Sequence, residues 1–426
     1  MKRISILLYF LANSLATQAQ DAYALRKNIA SLSATTFGGR GYVGNSRDKA
    51  ARFLIRNFTE IGLSSFDSLK EYTQAYTFPV NTFPNRMQLK LGKHELKPGV
   101  DFLIDAASPS FQSPSKTKIE RINMDKFEDL IEWQKQRNKM SPLEVYQLNN
   151  VDSFCKRLHS SNADFLAHLP KACFVIPQQR KLIWTVSTNQ IPATVFYVAD
   201  TSLPKGRKVE VNVQSKFETK ALSKNILGFI PGTQVSDSFI VFTAHYDHLG
   251  KMGAHTVFPG ASDNASGTAF MLELAKYFKA HPQKYAIAFL AFSGEEAGLL
   301  GSQYYVQHPV FSLSQIKSLI NIDLMGDASE GITMVNAVAQ KSAFEKLQAI
   351  NAQKAYLPKI LSRDNAPNSD HYPFTQANVP AFFIYANGGP GYYHDIFDKA
   401  QTLSLNNVPQ VFQLLIDYVA ALSLKP

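Results

Sequence analysis

The chain has 426 residues, 45% of them hydrophobic and 18% charged. That is the composition of a globular protein with room for more than one core, and it excludes a disordered or coiled-coil chain. The net charge of +10 suggests an acidic partner, but the basic residues gather before Asn225 and the part after it is slightly acidic. No basic run or nucleic-acid-binding signature is present, so a solvated basic surface and no nucleic-acid partner are expected.

The first residues read as an export signal. Lys2 and Arg3 form a positive start, Ile4 to Leu15 is mostly apolar, and Ala16, Thr17 and Ala19 offer small residues for cleavage before Asp21. Residues 1–20 are therefore expected to be a signal peptide of a periplasmic or secreted protein. The apolar stretch is short for a membrane span and no cysteine follows it, so no stable membrane insertion or lipid anchor is expected.

From Tyr23 to Leu63 the pattern is helical. SRDKAARFLIRNFTEIGL lines Ala51, Phe53, Leu54, Phe58 and Ile61 along one face, and Gly62 is placed to end the helix. The preceding GGRGYVG is a glycine-rich loop. The character changes over residues 76–219. Prolines recur (Pro79, Pro84, Pro98, Pro109, Pro114) among short β-rich runs such as MQLKLG, KACFVIP, KLIWTVS and ATVFYVA, with one helical interlude, MDKFEDLIEWQKQRNK. This predicts an inserted, mostly β domain. Cys155 and Cys173 both fall inside it, as one structural bridge or two inert thiols.

From Asn225 onward, apolar strands alternate with amphipathic helices: NILGFIP, DSFIVFTAH, a helix over ASGTAFMLELAKYFKAH, YAIAFLAF, a helix over EAGLLGSQYYVQH, SLINIDL, a helix over QKSAFEKLQAINAQ, AFFIYA and a final helix. The pattern predicts an α/β fold with a mainly parallel sheet covered on both faces, formed by residues 21–75 and 220–426 together.

Ligands of such sheets bind beyond the carboxyl ends of the strands, where chemistry-bearing residues gather here. His245 and Asp247 follow one strand in FTAHYDHLG, and Asp263 lies in GASDNASG. Glu295 and Glu296 sit in AFSGEEAGLLGS, Asp323 in NIDLMGD, and His394 in GYYHDIFD. His245 suits a metal, with Asp247 fixing its ring tautomer. Asp263 suits a bridging carboxylate, one oxygen per cation, for ions about 3.5–4 Å apart; a helix cap is its ordinary alternative. Adjacent Glu295 and Glu296 allow one to bind metal while the other takes a proton from water. Imidazole and carboxylate ligands without cysteine suit zinc, with manganese or cobalt as alternatives. Tyr393 is placed to aim its hydroxyl at a developing oxyanion. Asp370 and His371 lie near the same edge, whether facing substrate or packing. His255, His281 and His308 read as loop histidines, and His248 as a loop or packing histidine.

These motifs (HYDHLG, DNASG, EEAGLLGS, NIDL and YHDIFD) closely resemble the exported co-catalytic di-zinc aminopeptidase family that includes aminopeptidase Y-like enzymes. The resemblance covers Asn225 to about Thr402, and GGRGY with its helix is similar to that family's N-terminal part. It implies a three-layer α/β/α sandwich around a mixed, mostly parallel sheet, and two zinc ions per chain. One would take His245 and Asp323, the other Glu296 and His394, with Asp263 bridging, Glu295 as general base and Tyr393 polarising the scissile carbonyl. It implies a peptide substrate with a free N-terminus. The insertion resembles a diverged protease-associated domain. The alternatives are a single-zinc glutaminyl-peptide cyclase, against which the DNASG run argues, a carboxypeptidase, and a non-catalytic binding protein on the same scaffold.

Overall fold

The computed structural model describes residues 22–200, 208–234 and 237–423, so the expected signal segment lies outside the described residues. The apolar runs become one eight-stranded sheet. Its strands are β1 (Thr73–Thr82), β2 (Lys216–Ile230), β3 (Phe239–His245), β4 (Ala286–Phe292), β5 (Ile316–Ile322), β6 (Ile332–Val335), β7 (Ile360–Arg363) and β8 (Ala381–Ala386). Across the sheet they lie in the order β1-β2-β4-β3-β5-β8-β6-β7. The central strands β4, β3, β5 and β8 run parallel, whereas β1 against β2, β2 against β4 and β6 against β8 are antiparallel. The sheet is mixed with a parallel centre.

Strand side chains alternate between two apolar layers. Ile240 and Phe242 of β3, with Ile287 and Phe289 of β4, face helices at residues 22–32, Ser46–Ile61, Gly267–Ala280 and Val408–Ser423. Val241, Ala288, Leu290 and Phe292 face Tyr305 and Phe374, which come from helices Leu300–Gln307 and His371–Gln376. Covering both faces is what makes these strands apolar throughout, and the result is an α/β/α sandwich. Helix Ser46–Ile61 buries Leu54 and Phe58 completely, about 1.5–3 kcal/mol each, and Gly62 closes it in a left-handed turn. Three strands, β1, β6 and β7, have no counterpart in the sequence reading. β6 and β7 are only four residues long, too short for a period of two to show.

The central sheet runs past the expected boundaries: β1 and β2 stay paired as far as Thr82 and Lys216. Between them lies the insertion. Its larger, five-stranded sheet has the order Phe102–Ile104, Thr194–Ala199, Cys173–Gln178, Val145–Asn149, Ile119–Asn123, parallel except for the first pair. One face packs on a four-stranded antiparallel sheet through Leu89, Leu91, Val211, Val175 and Phe196. The other carries helices Leu130–Arg137, Val151–Arg157 and Asn162–Ala167 through Trp133, Phe154 and Phe165. The insertion thus has a helical layer where one helical interlude was expected. KLIWTVS forms no strand; Trp184 within it is a buried plug, 2.9 Å from the Ile104 carbonyl through its indole N–H. Cys155 and Cys173 are unbridged and buried in different apolar clusters. Among the described residues, no helix is long and apolar enough to cross a membrane.

Candidate metal centre

The parallel strands end together. In register, His245 of β3 lies beside Phe292 of β4, and Thr243 pairs with Asn321 of β5, two residues before Asp323. One sheet edge therefore presents His245, the SGEE turn that follows β4, and Asp323. The turn carrying Asp263, which has a cis peptide bond to Asn264, is fastened to that edge by Asn264. Its amide donates to the Ile322 carbonyl (3.0 Å), and its oxygen accepts from Gly267 N (2.9 Å) and Leu324 N (3.3 Å). Asp398 holds the same turn from the other side, accepting from Ser262 N at 2.8 Å and Asp263 N at 3.0 Å.

Beneath the site the GGRGY loop buries Arg40 completely. Its guanidinium donates to the carbonyls of Tyr246, Pro259, Gly260 and Asp263 at 2.7–3.1 Å, and to Leu32 at 3.0 Å. Burial lowers its pKa to about 10, against the pull of Asp263, Asp398 and Asp247, so it stays charged at neutral pH. The flanking Gly41 is required by contact: a Cβ there would sit 2.3 Å from the Gly250 Cα.

The expected ligands converge. His245 Nε2 is 3.3 Å from Asp323 Oδ1 and 3.4 Å from Asp263 Oδ1. His394 Nε2 is 3.2 Å from Asp263 Oδ2 and 3.0 Å from Glu296 Oε2. The two oxygens of Asp263 thus face different partners. Glu295 Oε2 lies 4.0 Å from His245 Nε2. Its side chain is 14% exposed and that of Glu296 is 3%.

Asp323, His394, His245 and Glu296 each have one atom tied down and another left for the centre. Asp323 Oδ2 accepts from the Ser369 hydroxyl at 2.9 Å, while its buried Oδ1 has no hydrogen-bond partner. His394 Nδ1 donates to the Trp184 carbonyl at 2.8 Å. His245 Nδ1 faces Asp247, 3.3 Å from its carbonyl and 3.8 Å from Oδ1. Asp247 in turn accepts from the Tyr42 hydroxyl at 2.6 Å and from Glu295 N at 3.3 Å.

Of the two readings of His248, the structure favours packing over loop: it is fully buried, and Nδ1 donates to the expected ligand Glu296, at Oε1, at 2.6 Å. Sequence reasoning also passed over Asp398, Ser369, Arg40 and Tyr42. The fourth position after His394 in YHDIFD was the one signal for Asp398. Tyr393 stacks on the His394 ring (centroids 3.8 Å apart) and is 48% exposed. Asp370 and His371 are buried behind the edge, Asp370 accepting from the Ser302 hydroxyl at 2.5 Å.

The electrostatics are those of a centre short of positive charge. Burial pushes Glu295 well above the usual carboxylate range; Glu296, Asp370 and Asp323 add to this and His245 opposes it. Burial works against charge on His245 and His394, yet neighbouring carboxylates raise both, His394 to about 11. For Glu296 burial is outweighed by His394 and His248, which hold its carboxyl well below its ordinary value. Buried carboxylates at such density are unfavourable unless cations neutralise them. The unpartnered Asp323 oxygen and the nitrogen–oxygen donor set, free of sulfur, fit a zinc-like metal. Among the described residues three donor triads arise, His245–Asp263–Asp323, His245–Glu295–Glu296 and His248–Asp263–Glu296, each with donor atoms within 4.8 Å of one another. Asp263 belongs to two of them, as do His245 and Glu296.

Residues 225–419 match the model of peptidase family M28, and all these carboxylates and imidazoles fall within that segment. This segment is an M28 peptidase domain. The M28 match begins at Asn225 and leaves the insertion outside it. Over 217 residues the chain is 32% identical to aminopeptidase YwaD of Bacillus subtilis, covering 48% of this chain and 46% of that protein. A probable leucine aminopeptidase of Arthroderma otae is 29% identical over 239 residues, 52% of this chain and 62% of that protein. The chain thus spans about half to under two thirds of these curated relatives. Insertion and M28 domain together share the fold of BSAP, a zinc aminopeptidase from Bacillus subtilis: TM-score 0.67 at 21% identity, over 94% of this chain and 95% of that one.

Proposed function

We propose that this chain is a zinc-dependent aminopeptidase that removes N-terminal residues from peptides. One observation carries the reading: Asp263 turns one oxygen to His245 and the other to His394. In this reading His245 and Asp323 would hold one zinc, Glu296 and His394 the other, and Asp263 would serve both. Bound zinc would supply acidification of a water and polarisation of the peptide carbonyl.

The chain's own residues do the rest. Asp247, Trp184, Ser369 and His248 each occupy one atom of a ligand, which fixes the lone pair that the ligand turns inward. Glu295 is the proton carrier. Its buried carboxyl has a raised affinity for a proton, so it can take one from water and return it to the leaving amine. Tyr393, half exposed beside His394, meets the substrate carbonyl.

Aminoacyl and dipeptide substrates, assayed with and without chelator, test this. We expect chelator-sensitive release of the N-terminal residue, and Glu295→Gln should keep its zinc while kcat falls by about 10²–10⁴. Wild-type turnover by Glu295→Gln, or cleavage only from the C-terminal end, would sink the proposal.

A further inference from the structure

The loop that presents His394 has little of its own to hold it. Gly388, Gly389 and Gly391 take positive φ of 143°, 79° and 68°, and residues 388–391 are exposed. Among the described residues, the only hydrogen bonds to the backbone of residues 388–393 come from Lys181, in the insertion. Lys181 Nζ donates to the Gly391 carbonyl at 2.7 Å and the Tyr393 carbonyl at 3.1 Å, and lies 3.4 Å from Asp395 Oδ2. Three residues on, Trp184 meets His394 itself: its carbonyl accepts from His394 Nδ1 at 2.8 Å, and its N–H points at the His394 carbonyl at 3.5 Å. Trp184 cannot easily shift. It is 5% exposed, its indole is bonded to Ile104 of the insertion, and its ring lies 4.7 Å from that of Phe258, in the hairpin of strands Gly250–Met252 and Thr256–Phe258.

We propose that the insertion is a working part of the catalytic unit, with Lys181 a positioning residue that holds the 388–394 loop and thereby His394 in place. The ammonium neutralises no ligand. It gathers two carbonyls and one carboxylate of a glycine-rich segment through charge-assisted bonds, so that His394 Nε2 keeps its place beside Asp263 and Glu296. As it concerns zinc, the proposal rests on the function proposed above; as it concerns loop order, it does not.

Lys181→Met keeps the aliphatic stem and removes the donors, and Lys181→Arg restores donors and charge. Lys181 is partly exposed, so neither change should alter the melting temperature of the metal-free chain. On that metal-free chain the backbone order parameters of residues 388–394 should fall below about 0.6 in Lys181→Met and stay near the rigid value of about 0.85 in Lys181→Arg and wild type. Competition titration with a chelator should show one zinc equivalent of Lys181→Met weakened by about 10–100-fold and the other unchanged, with kcat lowered more than KM. Unchanged order parameters in Lys181→Met, or equal weakening of both equivalents, overturn the proposal. A wild-type chain that binds no second equivalent would defeat the zinc reading instead, and the order parameters would still decide Lys181.

Discussion

His371 is fully buried, and neither ring nitrogen has a hydrogen-bond partner. Burial lowers its pKa from 6.5 to about 4. The sign of its effect on stability is fixed by which state takes the proton. Below pH 6.5 the unfolded chain protonates this histidine, while the folded chain keeps it neutral until about pH 4. Through His371 the metal-free chain should therefore lose about 3 kcal/mol as pH falls across that window. His371→Leu should remove that part of the slope in urea unfolding; a slope identical to wild type contradicts the burial argument. The sequence placed His371 near the active edge and left open whether it faces substrate or packs, because burial is not visible in SDHYPF. For His248 the choice between loop and packing stayed open for a related reason. Its direction is set by a backbone bond to Arg40, 3.4 Å away in space and far off in sequence. The convergence of His245, Glu295, Glu296 and Asp323 on one edge was legible because apolar strands announce where their ends lie, whereas Asp263 and His394 were marked by the letters DNASG and YHDIFD.

Among the elements, the turn over residues 260–267 matters most to the site, because it alone presents the carboxylate that faces both imidazoles. Asn264 binds it to the end of β5 by satisfying a buried carbonyl, a buried amide and the part-buried amide of Leu324. Asn264→Ala would leave those groups unpaired, at about 1–3 kcal/mol each. We expect it to lower unfolding free energy by about 3 kcal/mol and to weaken zinc binding as well. Loss of stability below about 1 kcal/mol would show that the staple is dispensable. The letters DNASG marked this turn, but the bonds of Asn264 to Ile322 and Leu324 join elements some sixty positions apart. Strands β3, β4, β5 and β8 could be read directly from their unbroken apolar runs. The insertion was harder. Its continuous runs KACFVIP and ATVFYVA pair in parallel under a helical layer, and helices as short as Asn162–Ala167 carry no clear period.

For the whole molecule, the insertion and the M28 domain meet at the catalytic edge, where Trp184 and Lys181 reach the loop of His394. The insertion is thus more than a decoration on a self-sufficient core, which no reading of composition or proline content could show. The basic first part and the slightly acidic second part are already apart in the sequence, but only the fold brings the distant carboxylates of the second part within a few ångströms. The central claim is that one carboxylate serves two zinc ions, and its most direct test is zinc content after dialysis against metal-free buffer. The account predicts two equivalents per chain in wild type and the loss of both in Asp263→Ala. A single equivalent in wild type, or two retained in Asp263→Ala, would contradict it.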